Sequence, residues 1–154
     1  MMRRSRAREV ALQLLFQRDL NPDSEQAQVE RFARDRLRDS SLQAFCLGLV
    51  DGVHAHLGEI DSRLGEVAEN WRLPRMAVVD RNILRMGTYE ILFTPQTPAP
   101  AAIDEAIELA RRFGTVDSPR FVNGVLDKLK PQSAEPAAQA DQPVVADGLS
   151  ESKS

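Results

Sequence analysis

MAVVDRNILRMGTYEILF, residues Met76–Phe93, sets Val79, Ile83, Leu84, Met86, Tyr89, Ile91 and Leu92 at helical spacing. A helix apolar over so much of its circumference is buried by its neighbours, so the stretch predicts a central helix with others packed round it. Its borders are marked. Leu73-Pro74 precedes it, and the residue before proline avoids helical geometry. Thr94 to Pro100 follows, with prolines at 95, 98 and 100, and reads as a loop.

Working outward, the same period recurs. On the N-terminal side, Ser5–Arg18 carries Ala7, Val10, Ala11, Leu14 and Leu15 on one face. Asn21-Pro22 breaks that helix, and Asp23 or Ser24 is suited to cap a second with Val29, Phe32, Ala33 and Leu37 inward. Ser40 or Ser41 opens a third, with Leu42, Phe45, Cys46, Leu49, Val50, Val53 and Leu57 as a broad stripe. Gly48 and Gly52 within it imply a close helix contact, and Gly58 is expected to end it. Ile60, Leu64, Val67, Ala68 and Trp71 mark a fourth helix. On the C-terminal side, Ile103, Ala106, Ile107, Ala110 and Phe113 mark a sixth, with Asp104 and Glu105 expected near its start and Gly114 at its exit. Asp117-Ser118-Pro119 opens a seventh, which buries Phe121 or Val122, then Val125, Leu126 and Leu129, and is expected to stop at Pro131. No window alternates as a strand does. The expectation is an all-α protein of about seven short helices, divided near Leu73-Pro74.

The chain of 154 residues is sized for one domain. Its single cysteine, Cys46, excludes an intrachain disulfide and a thiolate zinc cage. No apolar run is long enough to span a bilayer or serve as a signal peptide, so a cytoplasmic protein without membrane attachment is expected. The net charge of −3 is unevenly spread. Residues 131–154 hold Glu135, Asp141, Asp147 and Glu151 against Lys153, and their Ala, Pro, Gln and Ser content predicts a disordered acidic tail. Residues 1–8 contain Arg3, Arg4, Arg6 and Arg8 with no acid. The expected organisation is thus a basic N-terminal arm at 1–8, a helical domain at 9–130 and a tail at 131–154.

Enzyme motifs are scarce. There is no phosphate loop, dinucleotide fingerprint or zinc-binding helix motif. His54 and His56, two apart on a helix, point to different faces and cannot share a metal. Cys46 falls in the core stripe rather than beside positive charge. Glu105 and Glu108 can share a helical face, which admits a small carboxylate-dependent hydrolase, although acids there also suit the helix dipole. No catalytic residue, metal or cofactor is assigned. The arginine arm is better matched to phosphate. At the start of the last helix, Asp117, Ser118, Arg120 and Phe121 form a second candidate: free N–H groups and Arg120 for an anion, Phe121 to stack on an unpaired base. Periodicity alone leaves open whether Phe121 or Val122 faces the core.

RRSRAREVALQLLFQRDL (Arg3–Leu20), DRNILRMGTYEILF (Asp80–Phe93) and AIDEAIELARRFGTVDSPRFVNGVLDKL (Ala102–Leu129) together resemble the bacterial transcription antitermination factor family NusB, in the family's order and spacing. The resemblance covers nearly all of residues 3–130 and implies two helical subdomains. It implies binding to the single-stranded boxA element of ribosomal RNA leader transcripts together with the ribosomal protein NusE, within an RNA polymerase elongation complex that reads through terminators. It gives Arg3, Arg4, Arg6 and Arg8, and Asp117, Ser118, Arg120 and Phe121, the RNA-contacting role, and places Asp80, Arg81 and Glu90 on the helix that faces NusE. Some members form homodimers that hide the RNA face, and the sequence leaves that state open. Phe16 stands where the family commonly has tyrosine, and Asp104 where it commonly has asparagine. An RNA-binding adaptor of ribosome assembly, without antitermination, is the neighbouring alternative.

Overall fold

The computed structural model describes residues 2–68 and 75–138, with side chains over 4–68 and 75–129. Among the described residues there are seven α-helices and no strand: α1 Met2–Leu20, α2 Gln26–Arg36, α3 Ser40–Ala55, α4 Leu57–Val67, α5 Val78–Phe93, α6 Ala99–Phe113 and α7 Ser118–Ala138. α5 is the central helix that its composition implies. It packs against α1, α3, α4, α6 and α7, burying Ile83, Leu84, Met86 and Ile91. α1, α2 and α3 contact one another on one side, and α5, α6 and α7 on the other. One continuous apolar core joins the two groups.

Several boundaries differ from the sequence expectation, each for a local reason. α2 starts after Glu25 rather than at Asp23 or Ser24, because Ser24 closes a turn: its Oγ donates to the Asn21 carbonyl at 2.9 Å. Asp39, not a serine, caps α3, accepting from the Ser41 N–H at 2.7 Å. The α3–α4 break falls at His56, whose ring stacks on Phe93 with centroids 4.0 Å apart. Gly58 therefore lies inside the first turn of α4. α6 begins at Ala99 with Pro100 in its first turn, where a missing N–H costs no hydrogen bond. Asp104 and Glu105 consequently lie a turn deeper than expected. α7 continues through Pro131 to Ala138 instead of stopping there; the alanines at 134, 137 and 138 favour helix beyond the proline. Trp71 and residues 139–154, most of the expected tail, lie outside the described residues.

Of the two glycines read as a close contact, only Gly52 makes one. A Cβ there would overlap the Tyr89 ring, whereas Gly48 faces open space. Cys46 is fully buried, and desolvation, followed by the charge of Asp51, pushes its thiol up to about 12. It is a protonated core residue at neutral pH.

A polar seam ties α1 and α4 to α5. Asp19 Oδ2 accepts from Arg81 Nη2 at 3.1 Å and Asn82 Nδ2 at 3.0 Å. Arg85 grips Asp61 with two bonds, of 2.9 and 2.8 Å, and reaches Asp19 at 3.4 Å. Burial acts to raise the Asp19 pKa, but the hydrogen bonds from Asn82 and Arg81 and the charge of Arg85 outweigh it, so the carboxyl lies below the usual aspartate value. A depressed folded-state pKa stabilises the fold above the unfolded-state value, and that contribution disappears as pH falls through the folded one. Asp19→Asn is accordingly expected to lower Tm at pH 7 and to flatten the acid side of the stability–pH curve below about pH 4. Parallel acid titrations of both proteins, followed by circular dichroism, check this; coincident curves would remove Asp19 from the acid response.

Candidate nucleic-acid interface

The basic N-terminal segment is not a detached arm. It forms the first turns of α1, which starts at Met2, so its arginines leave the helix in different directions. Arg4 and Arg6 are exposed, and the Arg4 guanidinium lies 4.4 Å from the Phe45 ring centroid of α3. The Arg3 side chain is outside the described ones. Arg8, expected at the surface, is only 6% exposed. Its Nε and Nη2 donate to the two carboxylate oxygens of Glu90 at 2.9 and 2.7 Å, and Glu105 stands 3.7 Å away. Burial opposes the Arg8 charge, yet the Glu90 hydrogen bond and charge, with Glu105, hold its pKa above the usual value. This forked ion pair locks α1 to α5. It takes both Arg8 and Glu90 away from the surfaces assigned to them from sequence: the apolar neighbours of helix position 8 and the inward register of α5 close over the pair.

Arg81, placed with Glu90 on a partner-facing surface, is likewise engaged internally with Asp19. Asp80 differs. It is half-buried, and its Oδ1 is buried with no hydrogen-bond partner. It lines a cleft of about 540 Å³ between the starts of α5 and α7, together with Arg75, Asp117, Ser118, Arg120 and Phe121. The α7 residues singled out from sequence are thus brought together with Asp80.

Their roles within the cleft separate. Ser118 is buried, and its Oγ accepts from the Thr115 N–H at 2.9 Å, shaping the turn into α7. Asp117 and Arg120 are exposed. The ambiguity at the next two positions is resolved, since Val122 is fully buried while Phe121 is half-buried on the cleft wall. The carboxylate pair considered for hydrolysis diverges: Glu105 accepts from Ser5 Oγ at 2.9 Å and faces Arg8, whereas Glu108 pairs with Arg111. Among the described residues, no group of His, Cys, Asp and Glu is placed to hold a metal ion, and no helix is long and apolar enough to cross a membrane.

Two features carried no sequence signal. Glu9, buried on α1, accepts from Arg6 Nη1 at 3.0 Å and from Arg112 of α6. It joins the arginine segment to the helix that leads into α7, across a separation of 103 positions that no local pattern bridges. A groove of about 480 Å³ lies beside Val79, walled by Leu12, Phe16, Phe32 and Phe113. The aromatics come from three helices, which no local pattern reveals.

The family model described as NusB matches residues 5–131. A transcription antitermination protein NusB from Elusimicrobium minutum is 47% identical over 128 residues, covering 80% of this chain and 90% of that protein. A protein of the same name from Symbiobacterium thermophilum is 43% identical over 155 residues, covering 95% and 100%. Among solved structures, NusB from T. maritima superposes with a TM-score of 0.75 at 35% identity, covering 86% of this chain and 96% of that one. A complex of the antitermination factors NusB and NusE with dsRNA contains a chain of the same fold, with a TM-score of 0.76 at 24% identity and coverage of 86% and 98%.

Proposed function

The chain belongs to the NusB family, and from that membership we propose that it is an RNA-binding transcription antitermination factor. It binds boxA-type single-stranded RNA jointly with NusE and helps RNA polymerase read through terminators in ribosomal RNA operons. It works in the cytoplasm as an adaptor without catalytic chemistry of its own. The observation that carries this reading is the family match from residue 5 to residue 131, which takes in Arg6, Arg8 and the whole of the α7 surface and begins just after Arg3 and Arg4.

On this reading, Arg4 and Arg6, with Arg3 beside them, meet phosphates, while Arg8 supports them from inside through Glu90. Asp117, Arg120 and Phe121 form the second contact, with Ser118 shaping its backbone. Phosphate contacts supply affinity and orientation, and stacking and base-edge contacts supply selection. Asp80 is the partner-facing residue that remains open: it is half-buried on the cleft wall, where its carboxylate can face a cation brought by NusE. Val79 lines the apolar groove and Asp80 the cleft, so the two residues separate the two recesses. A protein seated on that ridge would stand next to bound RNA, and each would raise the other's affinity by linkage.

The test is binding of boxA-type and scrambled RNA by the whole chain, with and without NusE, across a salt series. Preference for the boxA-type RNA that grows when NusE is added is the expected result. Equal affinity for both RNAs in the presence of NusE would overturn the reading, as would loss of NusE-dependent enhancement.

A further inference from the structure

We propose that Arg112 is a phosphate-binding residue of the RNA surface and that Glu9 is the positioning residue that aims it, together with Arg6. This rests on the RNA-binding reading above and adds a connection between its two patches.

The geometry is specific. Glu9 is 6% exposed, and one buried carboxylate is shared by two guanidinium groups from different helices: Arg6 of α1 and Arg112 of α6. Both arginine side chains are about half exposed, at 48% and 50%. An arginine carries five N–H donors, and each of these uses a single nitrogen on Glu9. The remaining donors belong to side chains that are half open to solvent, and the trio retains one net positive charge.

Neighbouring arginines do not share this arrangement. Arg111 is matched by Glu108 and Arg36 lies over the Phe32 ring at 3.7 Å; Arg112 also lies over a ring, that of Phe113 at 5.6 Å, but shares its carboxylate with Arg6. Arg112 is also placed where the two patches meet. It sits in the last turn of α6, five residues before Asp117, while Glu9 fixes it to the helix that bears Arg4 and Arg6. A strand of RNA crossing from the α1 start to the α7 cleft passes this point. The plain structural alternative is a cation that complements the α6 C-terminus, which predicts an effect on stability and none on RNA.

The experiment measures boxA-type RNA affinity against salt concentration for the full chain with NusE, alongside the Tm of each variant. Arg112→Ala is expected to weaken binding several-fold and to lower the salt slope by about 0.7, the value for one single-strand phosphate contact. Arg112→Lys is expected to restore the slope, and Arg112→Gln provides the same loss with the side-chain stem retained. Glu9→Gln removes the anchor while adding net positive charge. It is expected to leave the slope no smaller and to reduce the ratio of boxA-type to scrambled RNA affinity.

An unchanged slope in both Arg112→Ala and Arg112→Gln overturns the phosphate contact, and an unchanged affinity ratio in Glu9→Gln overturns the positioning role. Arg4→Ala and Arg6→Ala separate the two levels. If they lower the slope and Arg112 does not, only this inference fails. If none of them does, the RNA surface on α1 fails with it.

Discussion

Replacing Glu90 by alanine is expected to cost about 3–5 kcal/mol of folding stability, because it leaves a buried guanidinium without its carboxylate. Arg8 is 6% exposed and Glu90 2%, and the two are joined by a forked pair of hydrogen bonds between α1 and α5. Glu105, at 3.7 Å from Arg8, compensates only in part, since it also accepts from Ser5. For a chain of this length, each kcal/mol corresponds to roughly 2–4 °C in Tm. Thermal and urea unfolding of Glu90→Ala measure the effect. The double replacement of Arg8 by methionine and Glu90 by leucine is expected to regain much of it, because volume-matched apolar pairs avoid the desolvation cost that a buried ion pair carries. A Glu90→Ala protein as stable as the parent would show that the pair is dispensable to the fold.

The same contact dictates how the arginine segment can be probed. A combined replacement of Arg4, Arg6 and Arg8 confounds two effects, since Arg8 is structural in its contacts and the others are exposed. Arg4 and Arg6 are the exposed positions at which lost phosphate binding is most readable, with Tm measured beside it for Arg6 because it also pairs with the buried Glu9.

The α-helical architecture was legible because its signals are local. Apolar spacing in Met76–Phe93 identified the central helix, and Asp117-Ser118-Pro119 marked the start of α7. Boundaries were less legible where a side chain from another helix or turn decides them, as at His56 against Phe93 and Ser24 against Asn21. The candidate site was legible in its residue types but not in their directions. A run of four arginines looks uniform in one dimension. On a helix, Arg4 and Arg6 turn outward while Arg8 meets an acid 82 positions away. Glu90 carries no sequence mark of being that acid, since one inward carboxylate on an apolar helix reads the same whether it meets a partner protein or a buried cation. The Glu9 link between α1 and α6 is non-local in the same sense.

Phe121→Ala is expected to lose about 1–3 kcal/mol of RNA affinity, the usual contribution of one aromatic platform under an unpaired base. Phe121 forms part of the cleft wall with Arg75, Asp80 and Arg120, while Val122 beside it fills the core. Because Phe121 also packs against the edge of that core, truncation lowers stability to some degree as well, and alanine alone does not isolate stacking. Phe121→Leu does: it keeps most of the apolar contact and removes the π face. Its Tm is expected to stay near that of the parent while RNA affinity falls, whereas Phe121→Trp keeps both. Val122→Ala supplies the opposite pattern, a lower Tm with RNA affinity of the folded protein retained. If Phe121→Leu bound RNA as tightly as the parent, the ring would be a packing element, and base selection at this end of the molecule would fall to Asp117 and Arg120.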